Sequence, residues 1–189
     1  MKRETKLITI LVFLSLVATL AAIEITLSVF YPHYSSYNTE MWRYGKYLKV
    51  AVRDPLICHE HRPNQKGRFY GVEIETNSRG WRDREYSEIP SQHRIMVLGD
   101  SVTLGWGVKD DATFSRLLER ELTRVWKPVE VINTGVGNYN TQMEVYSFLK
   151  KGIQLRPNHV ILAYFINDTE MIKPQGDVMK GSLTSSYFY

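Results

Sequence analysis

The chain has 189 residues, enough for one domain, and its 43% hydrophobic and 23% charged side chains exclude an intrinsically disordered protein. Its formal net charge of +4 includes no run of five or more Lys or Arg, so charge offers no argument for a nucleic-acid partner. The single cysteine, Cys58, excludes an internal disulfide framework.

The first six residues are net basic through Lys2, Arg3 and Lys6. Residues 7–23 are uncharged and mainly apolar, Glu24 interrupts, and residues 25–30 are mostly apolar again. A helix rises ~1.5 Å per residue, so a hydrocarbon core of ~30 Å takes about 20 residues. The run reaches that length when Glu24 lies at the far interface. We therefore expect residues 1–30 to form an uncleaved, single-pass signal anchor, with the membrane as its partner. Thr19-Leu20-Ala21 is a weak cleavage site for the rival reading, a signal peptide. Tyr31, Tyr34 and Tyr37 would sit near the headgroups, and the positive-inside rule puts everything after Phe30 outside the cytoplasm.

Residues 31–92 read as a mostly irregular lead-in. Residues 68–76 alternate weakly, which predicts one half-exposed strand, and Asn77-Ser78-Arg79-Gly80 is a turn cluster that would end it. Cys58-His59-Glu60-His61 offers three possible metal ligands. With no second ligand pair at zinc-like spacing, it reads as a polar loop and no metal is expected.

From Arg94 the pattern alternates between strand and helix. Residues 94–98 are an apolar strand. Phe114, Leu117, Leu118, Leu122, Val125 and Trp126 form a helical stripe, with Asp111 or Thr113 as its cap and Pro128 beyond its end. Residues 129–132 form a second strand. Thr141 and Glu144 make a capping box for a helix carrying Met143, Tyr146, Leu149 and Ile153. Pro157-Asn158 turns the chain into a third strand, residues 159–165. This order predicts an α/β parallel sheet with right-handed crossovers, whose ligands bind at the carboxyl ends of the strands.

Each strand ends in a polar set: Gly99-Asp100-Ser101, then Asn133 to Asn138, then Ile166-Asn167-Asp168. Ser101, just beyond a rigid strand, is placed as a nucleophile would be. Gly135 and Gly137 permit close backbone approach, and the Asn167 amide can donate. A serine with such donors makes an oxyanion hole. Asp100 reads as a loop-fixing residue. The G-x-S-x-G elbow of α/β-hydrolases is absent, because Thr103 stands at its second glycine.

Between residues 94 and 170 these blocks resemble the SGNH, or GDSL, hydrolase family. Residues 77–83 and the N-terminal anchor resemble its membrane-anchored members less specifically. The resemblance implies a three-layer, flavodoxin-like parallel sheet, with residues 93–189 as the N-terminal part of the hydrolase domain. It makes Ser101 the nucleophile and assigns the oxyanion donors to the backbone N–H groups of Ser101 and Asn138 and the side chain of Asn167. Asn138 stands where the family commonly has glycine, and Phe165 stands where many members have another. Gly99, Asp100, Gly135, Gly137 and Asp168 would shape the loops.

The family's Asp-x-x-His block, which holds the general base, is absent. The five histidines are His33, His59, His61, His93 and His159; the first four precede the 94–98 strand, and His159 opens the third strand at its far end. The domain is therefore read as incomplete at the C-terminus. The implied chemistry is ester hydrolysis, or acyl transfer on acetylated carbohydrate, without a cofactor. As it stands the chain is expected to show no appreciable esterase activity. The second reading is a membrane-tethered, non-catalytic fragment or pseudoenzyme.

Overall fold

A computed structural model describes residues 2–30, 36–90 and 92–166. The chain divides into two compact units, Met1–Tyr37 and Asn38–Tyr189.

The first unit holds helix α1, Lys2–Phe30. It runs through Glu24 without a break, and its stretch Glu4–Val29 is long and apolar enough to cross a membrane. Those 26 residues rise about 39 Å. Leucine, isoleucine and valine side chains are exposed on every face. The hydroxyls of Thr9, Thr19 and Thr26 donate to the carbonyl four residues back, and those of Ser15 and Ser28 to the carbonyl three back. Polar groups satisfied within the helix suit a medium that offers no hydrogen bonds. Tyr31 and Tyr34 lie outside the described residues.

In the second unit the order is α2 (Tyr37–Leu48), β1 (Lys49–Ala51), β2 (His59–His61), β3 (Lys66–Phe69), β4 (Val72–Glu75) and β5 (His93–Leu98). Then follow α3 (Ser101–Leu104), α4 (Phe114–Val125), β6 (Val129–Asn133), α5 (Thr141–Ser147) and β7 (His159–Leu162). The protein is thus mixed α/β. Its central sheet has three parallel strands in the order β6-β5-β7. Ile95 pairs with Val131 on one side and with His159 on the other. β5 is central and buried on both faces, as its unbroken apolar run requires. Ile95 and Val97 pack with Leu118 and Leu122 of α4, whereas Met96 and Leu98 pack with Phe148 and Leu155 after α5. The two connections therefore cover opposite faces. The chain turns from one side of β5 to the other, which makes its carboxyl end a topological switch point.

The expected helix caps differ in detail. Thr113 stands at the start of α4, but its hydroxyl donates to the Asp110 carbonyl and caps no helix N–H. α5 is capped one residue before the expected Thr141–Glu144 box, by Asn140, whose Oδ1 accepts from the Met143 N–H at 2.9 Å. Beyond Ser147 the helix continues as a wider turn, Phe148–Gly152.

The largest departure lies in the segment read as an irregular lead-in. It contains a twelve-residue helix, α2, and two antiparallel hairpins, β1–β2 and β3–β4. The single strand expected over residues 68–76 is the β3–β4 hairpin, turned by Tyr70 and Gly71, both at positive φ. Met41, Tyr44 and Leu48 of α2 pack with Phe69 and Ile74 of that hairpin and with Leu104 of α3. The helix was illegible because its apolar face is interrupted by aromatic and charged residues whose partners are distant in sequence.

Candidate active site

Ser101 opens α3 immediately beyond β5, where its side chain is half-buried. Gly99 has to be a glycine, since a Cβ there would lie 1.9 Å from Thr103 Oγ1. Asp100 is 1% exposed, and its Oδ1 accepts from the Val102 N–H at 2.8 Å. That carboxylate fixes the turn in which the serine sits, as expected of a structural residue. Neither the Ser101 N–H nor its Oγ has a hydrogen-bond partner among the described residues.

The loop after β6 lies directly against this turn. Val136 N–H donates to the Gly99 carbonyl at 3.1 Å. Asn133 Nδ2 donates to the Thr103 carbonyl at 2.8 Å, and its Oδ1 accepts from the Gly135 N–H at 3.0 Å. A Cβ on Gly135 would come within 2.2 Å of the Leu104 nitrogen. Asn138 is exposed and left-handed at φ 65°, and its N–H donates to no described group. The structure therefore brings together Gly99, Asp100, Ser101, Gly135, Gly137 and Asn138. Asn167 and Asp168 lie outside the described residues; the strand leading to them is in place, with Ala163 N–H donating to the Leu98 carbonyl at 2.9 Å.

A buried cluster behind the loop escaped the sequence reading. The Gly137 N–H donates to Tyr44 Oη at 2.9 Å. Tyr44 Oη lies 2.5 Å from His61 Nε2, and His61 Nδ1 lies 2.9 Å from the Gly80 carbonyl. These partners define a chain of donors: His61 Nδ1–H donates to Gly80, and the Tyr44 hydroxyl donates to His61 Nε2. Burial lowers the His61 pKa to about 3 and raises that of Tyr44, so both stay neutral. The Gly137 carbonyl accepts from Lys49 Nζ and from His59 Nε2. Lys49 Nζ also donates to Asn138 Oδ1 at 2.8 Å and lies 4.8 Å from the centre of the Tyr44 ring. Burial lowers the Lys49 pKa to about 7.

His59 and His61 are therefore committed to the loop and to Tyr44, and neither has a recorded bond to Ser101. The rings of His93 and His159 meet at a tilt of 50°, their centres 5.0 Å apart, and His159 pairs with Ile95 near the amino end of the sheet. No described histidine acts as base to the serine. Among the described residues no group of three or more His, Cys, Asp or Glu is placed to hold a metal ion.

Residues 77–83 support the site from below. Arg82 is 2% exposed and donates to four carbonyls, those of Leu104, Gly105, Glu73 and Val108, so it joins α3 to β4. Asp83 Oδ2 accepts from the Asn133 N–H at 2.7 Å. A cleft of about 870 Å³ lies beside these residues and does not include Ser101. Within it Lys66 pairs with Glu73 at 2.7 Å and Arg116 with Asp83 at 2.5 Å, whereas Arg68 and Lys109 of its lining make no ion pair among the described residues. The serine turn lies at the switch point of the parallel sheet, where ligands of such sheets bind, and is the stronger candidate.

No family model matches the chain, and no curated protein matches it.

Proposed function

We propose that this chain carries the nucleophile and oxyanion loops of an SGNH-type serine hydrolase acting on esters, on the extracytoplasmic side of a membrane. One observation supports the reading above others. Ser101 lies at a switch point beside a loop gripped at both of its glycines, and the N–H groups of Ser101 and Asn138, on adjoining segments, have no acceptor among the described residues. Unbonded donors held by rigid backbone suit a charge that develops only in the transition state. The sequence order of the Gly-Asp-Ser, Asn133–Asn138 and Asn167-Asp168 blocks supports the family, as does the parallel sheet. The basic residues Lys2, Arg3 and Lys6 at the start of α1 support an external domain.

In the proposed reaction the Ser101 oxygen attacks the ester carbonyl carbon and gives up its proton to an imidazole base. The tetrahedral oxyanion accepts from the Ser101 and Asn138 N–H groups and from the Asn167 amide. Collapse expels the alcohol, which takes the proton, and leaves an acyl-serine. Water then releases the acid, or a sugar hydroxyl takes the acyl group. No described histidine serves as base, so the base is assigned to a group outside the described residues.

The test supplies that base. The full chain in detergent is incubated with a short-chain aryl ester, with and without imidazole, and the peptide carrying Ser101 is weighed by mass spectrometry. We expect no appreciable turnover without imidazole, imidazole-dependent acylation of Ser101, and none in Ser101→Ala. Equal acylation of the two proteins, or none at Ser101, favours the second reading, a membrane-tethered protein that binds without catalysis.

A further inference from the structure

Lys49 is a buried amine for which no carboxylate partner is recorded among the described residues. A charge held this way is costly in a protein interior. Both of its recorded hydrogen bonds go to one loop: to the Gly137 carbonyl and to Asn138 Oδ1. The Gly137–Asn138 peptide bond is trans, so the Gly137 carbonyl and the Asn138 N–H point in opposite directions across one planar unit. Whatever fixes the carbonyl fixes the N–H. His59 Nε2 donates to the same carbonyl at 3.2 Å, and Tyr44 holds the Gly137 N–H at 2.9 Å. Asn138 meanwhile sits at φ 65°, a conformation that is unfavourable for residues other than glycine and tolerated by asparagine. The bond from Lys49 to its side chain holds it there.

We propose that Lys49 is the positioning residue of the oxyanion loop: its amine draws the Gly137 carbonyl and the Asn138 side chain inward, which turns the Asn138 N–H outward toward the Ser101 turn. The proposal rests on the hydrolase reading for the purpose of that N–H, and on the buried cluster alone for its orientation. Tyr44, His59 and Lys49 all belong to the segment ahead of the sheet, so that segment becomes part of the site. The donation from Lys49 also polarises the peptide and strengthens its N–H as a donor.

Lys49→Met in the full chain tests this with two independent readings. In the imidazole-driven acylation of Ser101 we expect the rate constant to fall about 10²-fold with little change in half-saturating ester, as for loss of one oxyanion donor. By NMR we expect the Asn138 amide and its φ-dependent coupling to leave their wild-type values while the β5 and β6 amides keep theirs. Lys49→Gln retains a neutral donor on a shorter stem, and an intermediate effect is expected in both readings. An Asn138 unchanged in folded K49M, or in K49Q should K49M not fold, overturns the proposal. A wild-type chain that never acylates Ser101, with Asn138 still displaced in K49M, overturns the hydrolase reading and leaves the positioning role standing.

Discussion

Gly135 leaves no room for a side chain. A Cβ there would stand 2.2 Å from the Leu104 nitrogen and 2.6 Å from the Thr103 carbonyl carbon, both backbone atoms that yield only if α3 moves. Gly135→Ala is expected to cost at least 1–3 kcal/mol, roughly the range for overpacking, with a lower Tm and slower acylation of Ser101. His61 carries a pH dependence whose sign follows from its burial. Its pKa lies at about 3 in the folded chain against an ordinary 6.5. Between those values the unfolded chain binds a proton that the folded chain refuses, so stability is present above pH 6.5 and is lost progressively toward pH 3. Thermal melts across that range should show a falling Tm, with a shallower slope in His61→Gln. The same histidine shows how sequence can mislead. Cys58-His59-Glu60-His61 reads as a run of ligands, but His61 is spent on Tyr44 and Gly80 and His59 on Gly137, partners between 17 and 78 residues away.

The two edges of the sheet are finished differently. Along β6 the outward N–H groups of Val129, Val131 and Asn133 donate to the side chains of Thr123, Glu119 and Asp83. Two residues of α4 and one from the segment ahead of β5 thereby close that edge. Along β7 no such acceptors stand among the described residues, and Val160, Ile161 and Leu162 are all exposed. An open, apolar, parallel edge invites pairing. Ile161→Lys is expected to reduce self-association of the chain in detergent, measured by sedimentation velocity, with little change in Tm. Three strands and two crossover helices were legible, because each carries its own periodic apolar pattern and a Gly, Pro or Asn at its ends; the third strand ends at Leu162 rather than at the expected Phe165, and α5 ends at Ser147, where a wider turn takes over. α2 and the two hairpins were not. Their stabilising contacts are to each other, to α3 and to the loop after β6, and short strands of three or four residues leave too little pattern to read.

Two physical demands meet in this molecule, since α1 is apolar on all faces and the second unit buries a mixed core. A charge at the middle of α1 should cost about 2.5–3.5 kcal/mol on insertion. Leu16→Arg is therefore expected to shift the chain from the carbonate-resistant membrane fraction toward the soluble or aggregated fraction. Helix α1, the parallel sheet and the serine turn could be read from residues 1–30 and 94–166 because local composition and spacing specify them. Hydrophobic length makes a spanning helix, and an apolar strand running into Gly-Asp-Ser places a serine at the strand's carboxyl end. The grip on Gly137 and Asn138 could not be read that way. It depends on Tyr44, Lys49 and His59, which lie 78 to 93 residues from the loop they hold. Single polar residues in an irregular-looking segment carry no signal of their partners until folding buries them together, when each buried donor must find its acceptor.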